Sequence, residues 1–172
     1  GFLYYQRGDR KGILHQGWKD GFSNRLQIRP PVAIVEAQGY AYLALYAAVK
    51  LLPQSSFNFL RMARELKIRF AQSFWMSKRQ YFALALDGKG KQRTAITSNP
   101  GHLLFTGILN PDQVNAVIKR LFKPDVFTPY GIRAHSAKEL DFDPLSYHLG
   151  SVWPHDNWII AQGLKRLGCE KE

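Results

Sequence analysis

The segment from residue 32 to residue 52 would be apolar around almost its whole circumference as a helix, and this feature limits most strongly what the chain can fold into. Such a helix is covered by other elements on most sides, unlike a surface helix with one apolar stripe. Pro30 and Pro31 precede the segment and Pro53 follows it, which favours a helix start and a helix stop. We therefore predict a buried helix that opens at the two prolines. Its polar exceptions, Glu36 and Gln38, lie near the N-terminal end and are expected to face a cavity there.

The following segments alternate between covering and buried helices. Residues 55–75 are predicted to form a covering helix, because apolar residues recur there at helical spacing with basic residues between them. The apolar stripe consists of Phe59, Met62, Ala63, Leu66, Phe70 and Phe74. A short strand is predicted over 81–86, and the apolar stretch 102–109 is predicted to be a second inner element. A covering helix is predicted to begin at residues 110–112, which supply an N-cap, a first-turn proline and an early acid.

A last buried helix is predicted from about Pro154 to Leu167, with polar residues again at its N-terminal end. Residues 1–30 and 124–152 are predicted to be irregular, because they combine turn residues without sustained periodicity. This alternation predicts an all-α fold, namely part of an α/α barrel with short β pieces in its connections. We predict a single domain over residues 1–172 that forms part of a larger barrel, because six helical hairpins need a longer chain.

The amino-acid composition limits which binding partners and which cellular compartment are expected. The hydrophobic fraction of 45% favours a packed core over disorder. The single cysteine, Cys169, has no intramolecular disulfide partner and favours a reducing compartment, so we predict a cytoplasmic protein. No cofactor and no metal site are predicted, and no apolar segment reaches the length of a membrane span.

The net charge of +11 would suit a polyanion if the basic residues lay on one face. They are not obviously gathered, and no nucleic-acid motif accompanies them. We therefore expect no nucleic-acid partner and no membrane partner. A basic polyanion-binding protein stays open as an alternative interpretation.

The twelve residues from Ser146 to Asn157 are rich in side chains that hold sugars. Aromatic faces offer flat apolar area, while imidazole, amide and carboxylate groups offer convergent hydrogen bonds. His148, Trp153 and His155 are therefore candidate substrate-binding residues, and Asp156 is a candidate carboxylate. Each also has a structural alternative: a satisfied core histidine, a core tryptophan, or an acid that complements a helix dipole.

Five short blocks occur in the order typical of one enzyme family, and together they extend over most of the chain. They occupy residues 16–20, 35–40, 98–104, 130–133 and 146–157. In this combination the chain resembles the amylo-α-1,6-glucosidase, or glycogen-debranching-enzyme-like, family of glycoside hydrolases. The resemblance implies an (α/α)6 barrel with the active site at the N-terminal ends of its inner helices. It also implies hydrolysis of α-glucosidic linkages, with α-1,6 branch points as one candidate, in an oligosaccharide or polysaccharide partner.

Glycoside hydrolysis normally needs two carboxyl groups, one as the acid and one as the base or nucleophile. The resemblance implies an inverting mechanism in which Asp20, in the Gly-Trp-Lys-Asp block, is the general acid and Trp18 flanks the sugar. The family usually has serine after this block, where the chain has Gly21. Glu36 and Asp156 are weak candidates for the base. In related barrels the base lies toward the C-terminal side of the catalytic domain, so it is expected beyond Glu172, in a missing part of the barrel.

The other polar candidates suit substrate binding better than proton transfer. They are Gln38, His102 and Arg133, whose amide, imidazole and guanidinium groups donate hydrogen bonds to sugar hydroxyls. Arg133 is equally compatible with a structural ion pair. A non-catalytic carbohydrate-binding remnant therefore stays open beside a hydrolase, and whether this chain is active by itself is left undecided.

Overall fold

A computed structural model describes residues 1–21 and 25–169, in which about 43% of the chain is helical and the strands are short. The helices are α1 (Val35–Leu51), α2 (Ser56–Phe74), α3 (Leu103–Thr106), α4 (Pro111–Leu121) and α5 (Pro154–Arg166). The strands are β1 (Val32–Ile34), β2 (Trp75–Met76), β3 (Tyr81–Phe82), β4 (Ala85–Asp87), β5 (Gln92–Arg93), β6 (Phe127–Thr128) and β7 (Gly131–Ile132). Short 3-10 turns lie at Pro53–Ser55 and Asn99–His102.

The predicted start of the first helix was wrong. Residues 32–34 form β1, which pairs antiparallel with β4 and places Ala33 opposite Leu86. The strand is almost fully buried, and β5 extends the sheet on the far side of β4. β-branched residues at 32 and 34 suit such a strand, so α1 begins only at Val35.

Helix α1 is buried over its first turns and exposed over its last ones. Val35, Glu36, Gly39 and Tyr42 are buried, whereas Leu51 is 78% exposed. The prediction of a helix covered on most sides is therefore confirmed near the N-terminus and wrong near the C-terminus. The buried end is the one that carries the polar side chains.

The remaining helices match the predicted pattern closely. Helix α2 packs along α1, and its Ala63, Leu66 and Phe70 are buried, although Met62, which was predicted to face the core, is half exposed. Helix α4 begins with a full capping box at Asn110. The predicted inner element at 102–109 is a 3-10 turn followed by the four-residue α3, which packs against both α1 and α5.

Aromatic rings fill the core between α2 and the strands. Phe70 and Phe74 stack at a centroid distance of 4.8 Å, and Phe82 of β3 lies 5.1 Å from Phe70. Phe2 reaches into this core and contacts Phe74 edge to face at 5.3 Å. Offset and edge-to-face contacts of this kind are favourable beyond the area that they bury. The core therefore holds the N-terminal segment and α2 together, while Glu36 of α1 and Asp156 of α5 each bond to the 3-10 turn at 99–102.

Candidate active site

The N-terminal ends of α1 and α5 and the 3-10 turn at 99–102 converge on one group of buried polar side chains. Glu36 comes from α1, Asn99 and His102 come from the turn, and Asp156 comes from α5. All four are at most 3% exposed. Together with Lys19, which approaches from the N-terminal segment, we call them the inner polar cluster. The predicted gathering of polar residues at the starts of inner helices is thus present in the structure.

His102 is held at both ring nitrogens. Its Nε2 lies 2.7 Å from Oδ1 of Asp156, and its Nδ1 lies 2.6 Å from the hydroxyl of Tyr40. These two contacts fix the orientation of the imidazole ring. His102 is therefore committed to protein contacts on both sides.

Only one oxygen of the Glu36 carboxyl group has a hydrogen-bond partner among the described residues. Asn99 Nδ2 donates to its Oε1 at 2.9 Å, while Oε2 of Glu36 and Oδ2 of Asp156 have no hydrogen-bond partner among the described residues. Burial raises the pKa of Glu36, and the neighbouring His102 opposes that rise. A buried carboxylate needs a compensating charge.

Lys19 brings positive charge into the cluster. Its side chain is 3% exposed, and its Nζ donates to the backbone oxygen of Ala134 at 2.5 Å. Burial lowers the pKa of Lys19 to about 8, while Asp156 and Glu36 pull in the opposite direction. The ammonium therefore stays largely protonated at neutral pH beside the two carboxylates.

Aromatic and imidazole rings form a more exposed layer around Trp18, which we call the aromatic rim. Trp18 stacks on His102 with an interplanar angle of 11°, so the rim lies directly against the inner polar cluster. His155 contacts Trp18 edge to face at 4.8 Å, and His148 does so at 5.8 Å. The rim also includes Trp153, whose ring centroid lies 4.5 Å from that of Tyr147.

Asp20 lies at this rim. Its side chain is 56% exposed, and its Oδ1 is 3.9 Å from Nε2 of His148, which is longer than a hydrogen bond. Burial lowers the pKa of His148, and the charge of Lys19 lowers it further. A cavity of about 220 Å³ adjoins Asp20 and is lined also by His15, Arg25 and residues 146–149. The structure therefore brings Asp20 together with Trp18 and His148, and leaves its carboxylate accessible.

Two predicted binding residues have other contacts. Gln38 exchanges two hydrogen bonds of 2.9 Å with the backbone of Leu3 and donates a third to Ile34. The guanidinium of Arg133 lies over the ring of Phe142 at 5.4 Å, and its Nε has no hydrogen-bond partner among the described residues. Gln38 therefore fastens the N-terminal segment to α1.

Sequence reasoning gave no role to three residues that the site uses. Asn99, Tyr40 and Tyr147 all lie in the recognised sequence blocks, but only the fold shows that Asn99 and Tyr40 bond to Glu36 and His102. The burial of Lys19, a fourth residue of the site, was not predicted either. Lysine is rarely buried, so no sequence signal marks this one as an inward residue.

Comparison with known proteins identifies the family. The profile described as the mannosylglycerate hydrolase MGH1-like glycoside hydrolase domain matches residues 3–172. The chain belongs to this family. The expected glycoside hydrolase family is thereby confirmed, whereas the amylo-α-1,6-glucosidase family specifically is not supported.

Individual relatives agree with this membership. Mannosylglycerate hydrolase MGH1 of Selaginella moellendorffii is 34% identical over 65 residues, which are 38% of the chain and 13% of that relative. The crystal structure of GH63 mannosylglycerate hydrolase from Thermus thermophilus in complex with glucose superimposes with a TM-score of 0.70 at 19% identity. That match covers 81% of the chain and 34% of the Thermus protein.

A second enzyme shares the fold. Neutral trehalase Nth1 from Saccharomyces cerevisiae matches with a TM-score of 0.67 at 15% identity, over 83% of the chain and 29% of the trehalase. The chain thus matches about a third of the length of these solved glycosidases. Within residues 1–21 and 25–169, no helix combines the length and the apolar character that a membrane span requires.

Proposed function

We propose that the chain supplies the general-acid half of a glycoside hydrolase active site, with Asp20 as the proton donor. The observation that carries this proposal is the position of Asp20. It is a solvent-accessible carboxyl group at the edge of an aromatic and imidazole rim, 3.9 Å from His148 and next to a cavity. A general acid must reach the leaving oxygen of the substrate, and an accessible carboxyl group at a sugar-binding rim meets that requirement.

Trp18, His148, Trp153 and His155 are the proposed sugar-binding residues. Their rings are in mutual contact, so they offer one continuous apolar and hydrogen-bonding surface. Such a surface suits a sugar ring. Gln38 is not part of this set, because its side-chain amide is hydrogen-bonded to the backbone of Leu3. His102 is proposed to support the Trp18 ring, on which it stacks.

Neither Glu36 nor Asp156 is proposed as the base. In an inverting enzyme the base lies about 6.5–9.5 Å from the acid and activates a water molecule at the substrate, so it must contact solvent there. Both carboxylates are at most 3% exposed, and Asp156 is bonded to His102. The relatives are much longer than the part that matches this chain, and we propose that the base comes from the remainder of an (α/α)6 barrel.

The proposed substrate is a small glycoside of a hydroxy acid, such as mannosylglycerate, in preference to an α-1,6 branch point. Support comes from the family and from the curated relative, both described as mannosylglycerate hydrolases. The Thermus enzyme was also crystallised in complex with Tris and D-glycerate. A cytoplasmic location remains our prediction for this protein.

The test is a hydrolysis assay on the longest polypeptide that contains this chain. Free hexose is measured after incubation with mannosylglycerate, with its glucosyl analogue and with an α-1,6-branched glucan. We expect release from the small glycosides and a loss of at least about 100-fold in kcat for Asp20→Asn. Asp112→Asn, which changes an exposed acid on α4, is the matched control.

Sugar binding without any hydrolysis would contradict the proposal and favour a carbohydrate-binding remnant. Binding is measured by calorimetry on the same proteins, so the two outcomes are distinguished in one series. Hydrolysis that survives in Asp20→Asn would contradict the role of Asp20 alone.

A further inference from the structure

Lys19 sits between the two residues on which the proposed site depends. Trp18 and Asp20, its neighbours in the chain, belong to the rim, while its own side chain is buried. Its ammonium donates to the backbone oxygen of Ala134, which is 115 positions away in sequence, and it lies 5.0 Å from the centre of the Trp18 ring. This hydrogen bond therefore ties the short segment with Trp18 and Asp20 to the connection between α4 and α5, which carries His148.

Charged and titratable groups from several elements face this ammonium. Two carboxylates from inner helices and one from the connection attract it, while one arginine opposes it. The charge of Lys19 in turn lowers the pKa of two histidines in the connection between α4 and α5. The groups are Asp156 of α5, Glu36 of α1, Asp141, Arg93 of β5, His135 and His148. Burial lowers the pKa of this lysine to about 8, and the three carboxyl groups limit that decrease.

His148 lies beside Asp20 and in the field of Lys19. A positive charge on an imidazole favours the ionised form of a carboxyl group next to it, and an ionised carboxyl group cannot donate a proton to a leaving group. Burial lowers the pKa of His148, the charges of Lys19 and His155 lower it further, and Asp20 raises it. The charge of Lys19 therefore opposes protonation of this imidazole.

We propose that Lys19 is a positioning residue of this site: its buried ammonium, which donates to the backbone oxygen of Ala134, anchors the Trp18–Asp20 segment to the connection between α4 and α5 that carries His148. This inference rests on the proposed role of Asp20 as the acid. It assigns Lys19 no contact with the substrate. Its effects are an anchoring hydrogen bond and an electric field, which substitutions separate.

The first measurement is an NMR titration of the histidine ring protons in the full chain. The five histidine signals are assigned with single substitutions, including His148→Gln. In the wild type we expect His148 to titrate below free histidine. In Lys19→Met the His148 midpoint moves upward because the nearby charge is gone, whereas Lys19→Arg keeps it low. Lys11→Met, an exposed lysine of the same segment, is the matched control and leaves it unchanged.

The second measurement is steady-state kinetics on the same variants. We expect Lys19→Met to lower kcat by about 10- to 100-fold with a smaller change in KM, because proton donation is impaired more than sugar binding. Lys19→Arg recovers part of this loss, since it keeps the charge but not the geometry of the bond to Ala134. A purely structural role would change the folding stability without moving the His148 midpoint.

An unchanged His148 midpoint in folded Lys19→Met overturns the inference. Should that variant not fold, Lys19→Gln, whose uncharged amide is also a hydrogen-bond donor, replaces it: an upward shift of the His148 midpoint supports the inference, and an unchanged midpoint overturns it. Absence of any hydrolysis by the wild type contradicts the proposed function, while the titration still tests the field of Lys19 on His148.

Discussion

The inner polar cluster and the aromatic rim contain the same kinds of side chain but differ in their access to solvent. In the cluster, Asp156 and His102 form a fully buried pair at 2.7 Å. At the rim, Asp20 and His148 stand 3.9 Å apart, and the carboxylate is more than half exposed. A carboxylate and an imidazole that lie side by side therefore do not by themselves identify the reactive pair of a site. On the basis of solvent access, we propose that the buried pair supports the site and that the exposed pair takes part in the reaction.

The largest expected effect is on folding, at the buried pair. Asp156→Ala leaves His102 without its partner, so we expect the free energy of unfolding to fall by about 3 kcal/mol. Asp112→Ala is the matched control, because Asp112 is also a first-turn acid in a helix with an early proline, but it is exposed. Urea denaturation monitored by circular dichroism measures both. Equal changes in the two variants would mean that the inner pair contributes no special stability.

A second expected effect comes from the buried charge of Lys19 and depends on pH. Burial lowers the pKa of Lys19 from 10.5 to about 8, so between these values the unfolded chain binds more protons than the folded chain. The free energy of unfolding therefore rises with pH in this window, by about 2 kcal/mol from pH 8 to pH 9.5.

The comparison between wild type and Lys19→Met isolates this contribution. Burial raises the pKa of Tyr5, Tyr40 and Tyr81, which reverses the trend above about pH 10, where tyrosines of an unfolded chain ionise. The measurement is thermal or urea unfolding at half-unit steps of pH. An identical slope for wild type and Lys19→Met from pH 8 to 9.5 would show that Lys19 is not buried as a charge.

The fold was predicted best where a single local rule decides the structure. The start of α4 at Asn110 and Pro111 follows from capping, and the start of α5 follows from Pro154. Strand β1 was missed because the apolar run from Val32 fits a buried strand as well as a buried helix, and only its pairing with β4 decides between them.

The site was predicted in its residue types but not in its arrangement. Asp20, Trp18 and His148 were named and are neighbours, whereas Gln38 is bound to backbone. The buried side chain of Lys19 donates to Ala134, which lies 115 residues away in sequence. No local sequence pattern can therefore indicate that this lysine points inward. Long-range contacts of this kind decide which of two similar carboxylates is buried.

The smallest of the three effects concerns sugar binding at the rim. Trp18→Phe keeps an aromatic ring but reduces its area and removes its indole nitrogen, so we expect KM to rise about fivefold, equivalent to about 1 kcal/mol. Trp158→Phe is the matched control, because Trp158 is an exposed tryptophan on α5 that makes none of the ring contacts of the rim. Equal KM values for the two variants would remove Trp18 from the binding surface.

The most direct test of the central claim compares two leaving groups in Asp20→Asn. A glycosyl fluoride departs without protonation, whereas the natural glycoside needs an acid at its leaving oxygen. With Asp20 as the general acid, the variant hydrolyses the fluoride within about tenfold of the wild-type rate and the glycoside at least about 100-fold more slowly. An equal loss on both substrates would contradict the account, because Asp20 would then act in binding or folding rather than in proton donation.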